Sequence, residues 1–564
     1  MTEKIMRFAK QIGVNKKILL FLFFNFGILI FIMKFCQPVG ETNDDFTMSL
    51  VPMGVFGDNY RQCLIFSNVI YGYIIKYISY LFPSLNWWIM LQYLIIVTAY
   101  SALFYLLSER TNISIALLCN MIVGCLVMYN EIRYIQFTRT AFIACIVGLI
   151  LQVYGNIHNS QSSIVIGLIM CLMGSWIREK TFWICVVYIG AFITAYILQI
   201  GVSVHAIKKY VGQICIMILL VAICSFMNKL YYMGNTEWDT YREFNLARSN
   251  LLDYGMPSWA ENQEKYESIG FSENDVRLFA KWNFNDSNKY TIQNLSEIVS
   301  WKTKEKIEID DLKNLFKQIS EKIQVGFFVV WLVSLIAVFA IRSKSSIVLC
   351  FLNFLGTIAI FFIFVYGGRM IPRLEFGIWT CAILTNFLGF FEFRKEDSDD
   401  IYKTIGSIRY HYIEIGAVLG MIIFLGSRGI LYEGMSIYEG RTRDLLSHLT
   451  ENSSNLYVLD ISSLGGAYYS FCPYKRVDSF YLKNYCWSGG WDTFSPYWLS
   501  YNEVLGFDNP LEDLCTKDNV FYVTDRDISV MHTYLQENYK AGAVELVETY
   551  QGWNIYKFFD EDQL

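Results

Sequence analysis

The residues with chemical potential are few and lie close to long apolar runs. Asp44 and Asp45 stand in Gly40-Glu41-Thr42-Asn43-Asp44-Asp45-Phe46, directly after the first apolar run. Paired carboxylates beside a membrane serve either as a metal site or as a general base. Neighbours on a regular element cannot both point at one small target. One of the pair would therefore face a cavity while the other caps or orients a helix; from spacing alone, a solvated turn with an N-cap is the alternative. Six basic residues form the second group: Arg133 and Arg139, Arg178 and Lys180, Arg369 and Arg373, in the short segments 130–140, 175–181 and 367–374. Each pair lies within a turn or two of an apolar run. Arginine presents a planar fork of donors that matches phosphate, so the cluster could hold the phosphate of a lipid whose tail stays in the bilayer. For any single one of these side chains, interfacial snorkelling is the plainer reading.

Other chemistry is sparse. His158, His205, His411, His448 and His532 are scattered, with no second ligand at metal spacing. There is no phosphate-cradling G-x-x-x-x-G-K-[ST] or G-x-G-x-x-G loop and no G-x-S-x-G nucleophile elbow. The 14 cysteines include no C-x-x-C pair, and most lie in apolar runs as small hydrophobes. Cys472 and Cys486 lie outside those runs and form a candidate disulfide pair.

The elements that must position these residues are membrane helices. Of 564 residues, 54% are hydrophobic and 17% charged, where a soluble chain carries about 25% charged residues. That excludes a disordered tail, a fibre and an ordinary soluble enzyme. A net charge of −5 disfavours nucleic acid as a partner. Eleven runs are candidates to span a bilayer, beginning near Ile18, Trp88, Ile113, Ala141, Ile164, Phe182, Val211, Val325, Ile347, Phe376 and Ile413. The first follows Lys4, Arg7, Lys10, Lys16 and Lys17 and lacks a cleavage-site pattern, so it reads as an uncleaved anchor.

The positive-inside rule puts the N-terminus in the cytoplasm, with Arg110, Lys208, Lys209, Arg342, Lys344, Arg394, Lys395, Lys403 and Arg409 on inner loops. Three segments then lie outside: 37–86, 228–323, and the C-terminus. The expected division is a membrane domain over 1–432 and an extracytoplasmic α/β domain over 433–564. Residues 59–81 read as one helix along the membrane, with Phe66, Ile70, Tyr73, Ile74, Tyr77 and Leu81 on one face. In the C-terminal part, Leu456–Leu459, 520–523, 544–547 and 553–558 read as strands and Ser529–Tyr539 as a helix.

The order of anchor helix, outer loop opening with Asp-Asp, amphipathic segment, many spans and outer C-terminal domain resembles the GT-C superfamily of membrane glycosyltransferases. The residues that carry the resemblance are Asn43-Asp44-Asp45, the stretch from Ile65 to Trp88, Gln136-Phe137-Thr138, Ile177-Arg178-Glu179 and Gly368-Arg369-Met370-Ile371-Pro372-Arg373. The resemblance implies an inverting enzyme of the cytoplasmic (plasma) membrane that moves a sugar from a polyprenyl-phosphate donor to a surface glycan, lipid or protein. It implies Asp44 as general base, with Asp45 in reserve, and Arg139, Arg178, Lys180, Arg369 and Arg373 on the donor phosphate. A divalent cation could assist, but one Asp pair supplies too few oxygens to define a site. The alternatives are a flippase or transporter of lipid-linked saccharides, and a surface-polysaccharide polymerase or ligase. Trp238, Trp259, Trp282, Trp487, Trp491 and Trp498 are external aromatics able to stack on sugars or to pack in a core.

Overall fold

A computed structural model describes residues 16–302, 324–367, 369–394, 436–464, 471–479 and 481–560. The expected span near Ile413 lies outside the described residues, as do Lys4, Arg7, Lys10, Gly368, Lys395, Lys403, Arg409 and His411. Among the described residues, eight helices are long and apolar enough to cross a membrane: α1 (Lys16–Phe35), α4 (Trp87–Arg110), α5 (Ile113–Arg133), α6 (Phe137–His158), α8 (Glu179–Ile200), α9 (Val204–Met233), α15 (Lys344–Tyr366) and α16 (Pro372–Phe393). Two further apolar helices, α7 (Gln161–Ile177) and α14 (Val325–Phe339), occupy expected runs but are shorter. The chain is thus a largely helical protein suited to a polytopic membrane setting.

Helix α6 is the hub of the bundle, buried along nearly its whole length. Its tightest neighbour is α7. A Cβ on Gly148 would sit 2.6 Å from the Cys171 nitrogen, and one on Gly167 2.5 Å from the Gly148 carbonyl. Small residues at the crossing let two backbones approach closely, which substitutes for the missing hydrophobic drive between helices in lipid. Some polar residues inside the bundle pair with one another, as with Asn25 donating to Ser101 Oγ (3.0 Å) and Trp331 to Asn353 Oδ1 (2.9 Å).

The segment after α1 is tied down at once. Strand β1 (Val39–Gly40) pairs in parallel with β2 (Tyr134–Ile135), just before α6. Helix α2 (Asn43–Met53) follows, with both aspartates in its first turn, where the helix dipole favours negative charge. It ends at Gly54, whose φ of +76° suits the left-handed stop that glycine adopts without strain. The expected long amphipathic helix is only half formed. Turns occupy most of 54–68, and helix α3 runs over Val69–Leu81, with Asn68 accepting from the Ile70 nitrogen at its start. The break has a packing cause: Gly72 sits on the Gln62 carbonyl, leaving no room for a Cβ.

Helices α10 (Thr236–Leu252), α11 (Trp259–Ser268), α12 (Glu273–Ala280) and α13 (Ile292–Ser300) form a cap. Beyond it lies a five-stranded sheet in the order β4-β3-β5-β7-β6, built from β3 (Leu456–Leu459), β4 (Tyr485–Trp487), β5 (Val520–Thr524), β6 (Ala541–Tyr550) and β7 (Trp553–Asp560). Strand β3 is parallel to both neighbours, whereas β7 is antiparallel to β5 and β6. Cap and sheet share one core, in which Phe244, Leu251, Tyr290 and Leu295 pack with Val458, Leu511, Tyr534 and Phe558. Cys472 is exposed, Cys486 is buried in that core, and both thiols are free; the candidate disulfide is not formed.

Candidate active site

A cavity of about 810 Å³ lies between the cap and one end of the helix bundle. Its lining comes from seven places in the chain: 42–44 at the head of α2, Ile65 and Phe66, Phe137 at the head of α6, 178–180 between α7 and α8, Arg369 with Arg373 before and in α16, the cap, and the C-terminal sheet region through 461–462 and 490–491. These positions follow or precede apolar helices on the same side. Lys17, Arg110 and His158 lie at the opposite end, paired with Glu109 and Glu392.

The two aspartates take different roles. Asp44 lines the cavity, and its Oδ2 pairs with Arg373 Nη2 at 3.3 Å. Asp45 is fully buried and faces away from it. Its Oδ1 accepts from Trp88 Nε1 and Gln92 Nε2, and its Oδ2 from the Phe137 backbone nitrogen, each at 3.1 Å. That last bond caps α6, a helix whose first N–H groups have no partner within it. Burial lifts the Asp45 carboxyl to about 7, against the pull of its three donors.

Arg178 is the N-cap residue of α8 and lies beside the stacked rings of Phe66 and Phe137, 5.2 and 5.5 Å from their centroids. It forms no ion pair among the described residues. Burial lowers it to about 10, and Arg373 and Arg369 add to that while Asp44 opposes. It stays charged at neutral pH and gains from any anion that approaches. Arg369 pairs with Asp253 at 3.0 Å, and Lys180 lines the same wall. Arg139 is not brought to this cavity. It lines a smaller neighbouring one of about 380 Å³, where Glu41 (2.9 Å) and Glu131 (3.5 Å) neutralise it. Arg133 is also remote from the large cavity, donating to the Gln37 carbonyl.

Sequence reasoning missed the cap's contribution: Arg242, Arg248 and Lys281 also line the cavity. Positions 242, 245 and 248–249 recur at helical spacing on α10, beside the buried Tyr241, Phe244, Ala247 and Leu251, and this pattern was available to find Arg242 and Arg248. Among the described lining residues, seven cations face three carboxylates, Asp44, Glu179 and Asp253. Trp282 and Trp491 reach the wall, but Trp238 and Trp498 are core residues and Trp259 stacks on Tyr266. No cluster of side chains able to hold a metal ion occurs among the described residues.

Compared with known proteins, the chain matches no family model, no curated protein and no solved structure.

Proposed function

We propose that this protein is a GT-C-type membrane glycosyltransferase that moves a sugar, with inversion, from a polyprenyl phosphate to an acceptor outside the cytoplasmic membrane. The observation that carries the reading is that Asp44 and an excess of guanidinium groups share one cavity at the end of the apolar helices. In this account the N-terminus is cytoplasmic, and the cavity, cap and sheet are extracytoplasmic. The donor's isoprenoid tail stays among the helices while its phosphate enters against Arg178 and Arg373. That phosphate competes for Arg373 and releases the Asp44 carboxylate. An acceptor hydroxyl then attacks the anomeric carbon. Its proton passes to Asp44 as the new C–O bond forms, and the bond to the phosphate oxygen breaks. The polyprenyl phosphate departs with the negative charge, held by the fixed cations.

The scarcity of ionisable side chains midway along the described apolar helices favours an enzyme over a charge-driven transporter, which places carboxylates or histidines there. The test is transfer of labelled sugar from a polyprenyl phosphate by the purified chain, with the anomeric configuration of product compared with donor. Inverted product, lost in Arg178→Ala, supports the reading. Retention of configuration, or transfer indifferent to Arg178, refutes it.

A further inference from the structure

The cap wall of the cavity holds an arginine that the donor phosphate does not require. Arg248 is 3% exposed, lines the cavity and lies over the Trp282 ring at 4.9 Å. Its Nη2 donates to Asn245 Oδ1, while its Nε and Nη1 are buried with no hydrogen-bond partner among the described residues. A buried donor left unmet is costly, and a charged one more so. The carboxylates that act on Arg248 are engaged or displaced. Asp253 is held by Arg369, Asp44 by Arg373, and Asp492 lies buried under the Gly490 turn. Lys281 and Arg242, also from the cap, line the same cavity.

The two walls come from different parts of the chain. Arg178 and Arg373 belong to the ends of membrane helices, and Arg248 and Lys281 to the cap. Asp44 acts electrostatically on both Arg178 and Arg248. The group proposed to take the acceptor's proton therefore lies in the same cavity as both sets of cations and within electrostatic reach of Arg178 and Arg248.

We propose that Arg248, with Lys281 and Arg242, forms a second anion subsite that takes a phosphate group carried by the acceptor, so that the acceptor is a phosphate-bearing glycan or lipid head. This rests on reading the opposite wall as the donor-phosphate site. A planar guanidinium stacked on an indole and offering two free donors matches two phosphate oxygens. Placing that phosphate on the cap wall would set a neighbouring hydroxyl of the acceptor against Asp44. A second phosphoryl group on the donor presents the same chemistry from another source, and the experiment separates the two.

The probe is radiolabelled glycerol 3-phosphate, measured by equilibrium binding to the purified full chain whose donor site is saturated with polyprenyl phosphate. Binding is expected to persist under that saturation. It is expected to weaken about tenfold or more in Arg248→Met and in the surface variant Lys281→Gln, and to be unchanged in Arg178→Ala. Arg248→Lys, which keeps the charge without the fork, is expected to fall between. Displacement of the probe by polyprenyl monophosphate, or equal loss in Arg178→Ala, would show a single anion site and overturn the proposal. Displacement by polyprenyl diphosphate but not monophosphate would assign the subsite to the donor and overturn the acceptor's claim. The readout is binding alone, so a failure of sugar transfer would count against the proposed activity without touching this result.

Discussion

Replacing each aspartate of the adjacent pair by asparagine should produce opposite phenotypes. Asp45→Asn keeps size and shape but puts an amide NH₂ where one carboxylate oxygen accepted. Turned toward Trp88 and Gln92, it would oppose two donors; turned toward Phe137, it opposes one. The second arrangement costs less. It leaves the buried Phe137 N–H of α6 unmet, at about 1–3 kcal/mol, while Gln136 still caps the next two N–H groups. Unfolding entropy scaled to this chain length converts that loss to roughly 1 °C per kcal/mol. Asp44 makes one contact at 3.3 Å and is partly open, so Asp44→Asn should change stability by no more than about 1 kcal/mol. Thermal unfolding of detergent-purified protein, followed by tryptophan fluorescence, reads both. A midpoint lowered by about 1–3 °C in Asp45→Asn, with Asp44→Asn near wild type, supports the assignment of roles. Equal midpoints for Asp45→Asn and wild type, or a larger drop for Asp44→Asn, would refute it.

Arg178→Ala should weaken polyprenyl-phosphate binding by about 10–100-fold and Arg178→Lys by less, since lysine keeps charge but loses the fork, as read by equilibrium binding in detergent. Asp492 is buried and its carboxyl is pushed up to about 7, above the usual range near 4. The folded protein therefore holds a proton that the unfolded chain has released between about pH 4 and 7; that stabilisation is full below pH 4 and is lost as pH rises to 7. Denaturation midpoints should accordingly fall from pH 5 to 7.5 in wild type, and less steeply in Asp492→Asn. Gly489→Ala would place a methyl 1.7 Å from the Trp282 carbonyl, so it should cost about 1–3 kcal/mol in thermal stability and shift Trp282 emission.

The apolar runs were legible as stretches of about helix length: ten of the eleven meet a described helix, nine of them starting within four residues of the expected position and α9 seven residues before it. Strands β3 and β5 and helix Ser529–Tyr539 were equally plain, being compact patterns with turn residues at their ends. The helix expected over 59–81 failed where a long-range contact, Gly72 on Gln62, overrode the periodicity. Within the site, Arg178, Lys180, Arg369 and Arg373 were readable because basic residues stand out beside apolar runs. Arg139 has the same local signature, yet Glu41 and Glu131 claim it, and no spacing rule reveals an ion pair across 98 residues. The separation of Asp44 from Asp45 likewise depends on partners 43 to 92 residues away. Arg248 and Lys281 escaped notice because basic residues in a polar segment look like ordinary solvated surface until the fold turns them inward.

The central claim is that Asp44 acts on the acceptor while the surrounding cations hold the donor. Steady-state kinetics of sugar transfer from a polyprenyl phosphate, for wild type and Asp44→Asn at matched folded fraction, tests it most directly. The account predicts that KM for the donor is nearly unchanged while kcat falls by about 10²–10⁴-fold. An Asp44→Asn variant that turns over at the wild-type rate, or a loss confined to donor KM, would contradict it.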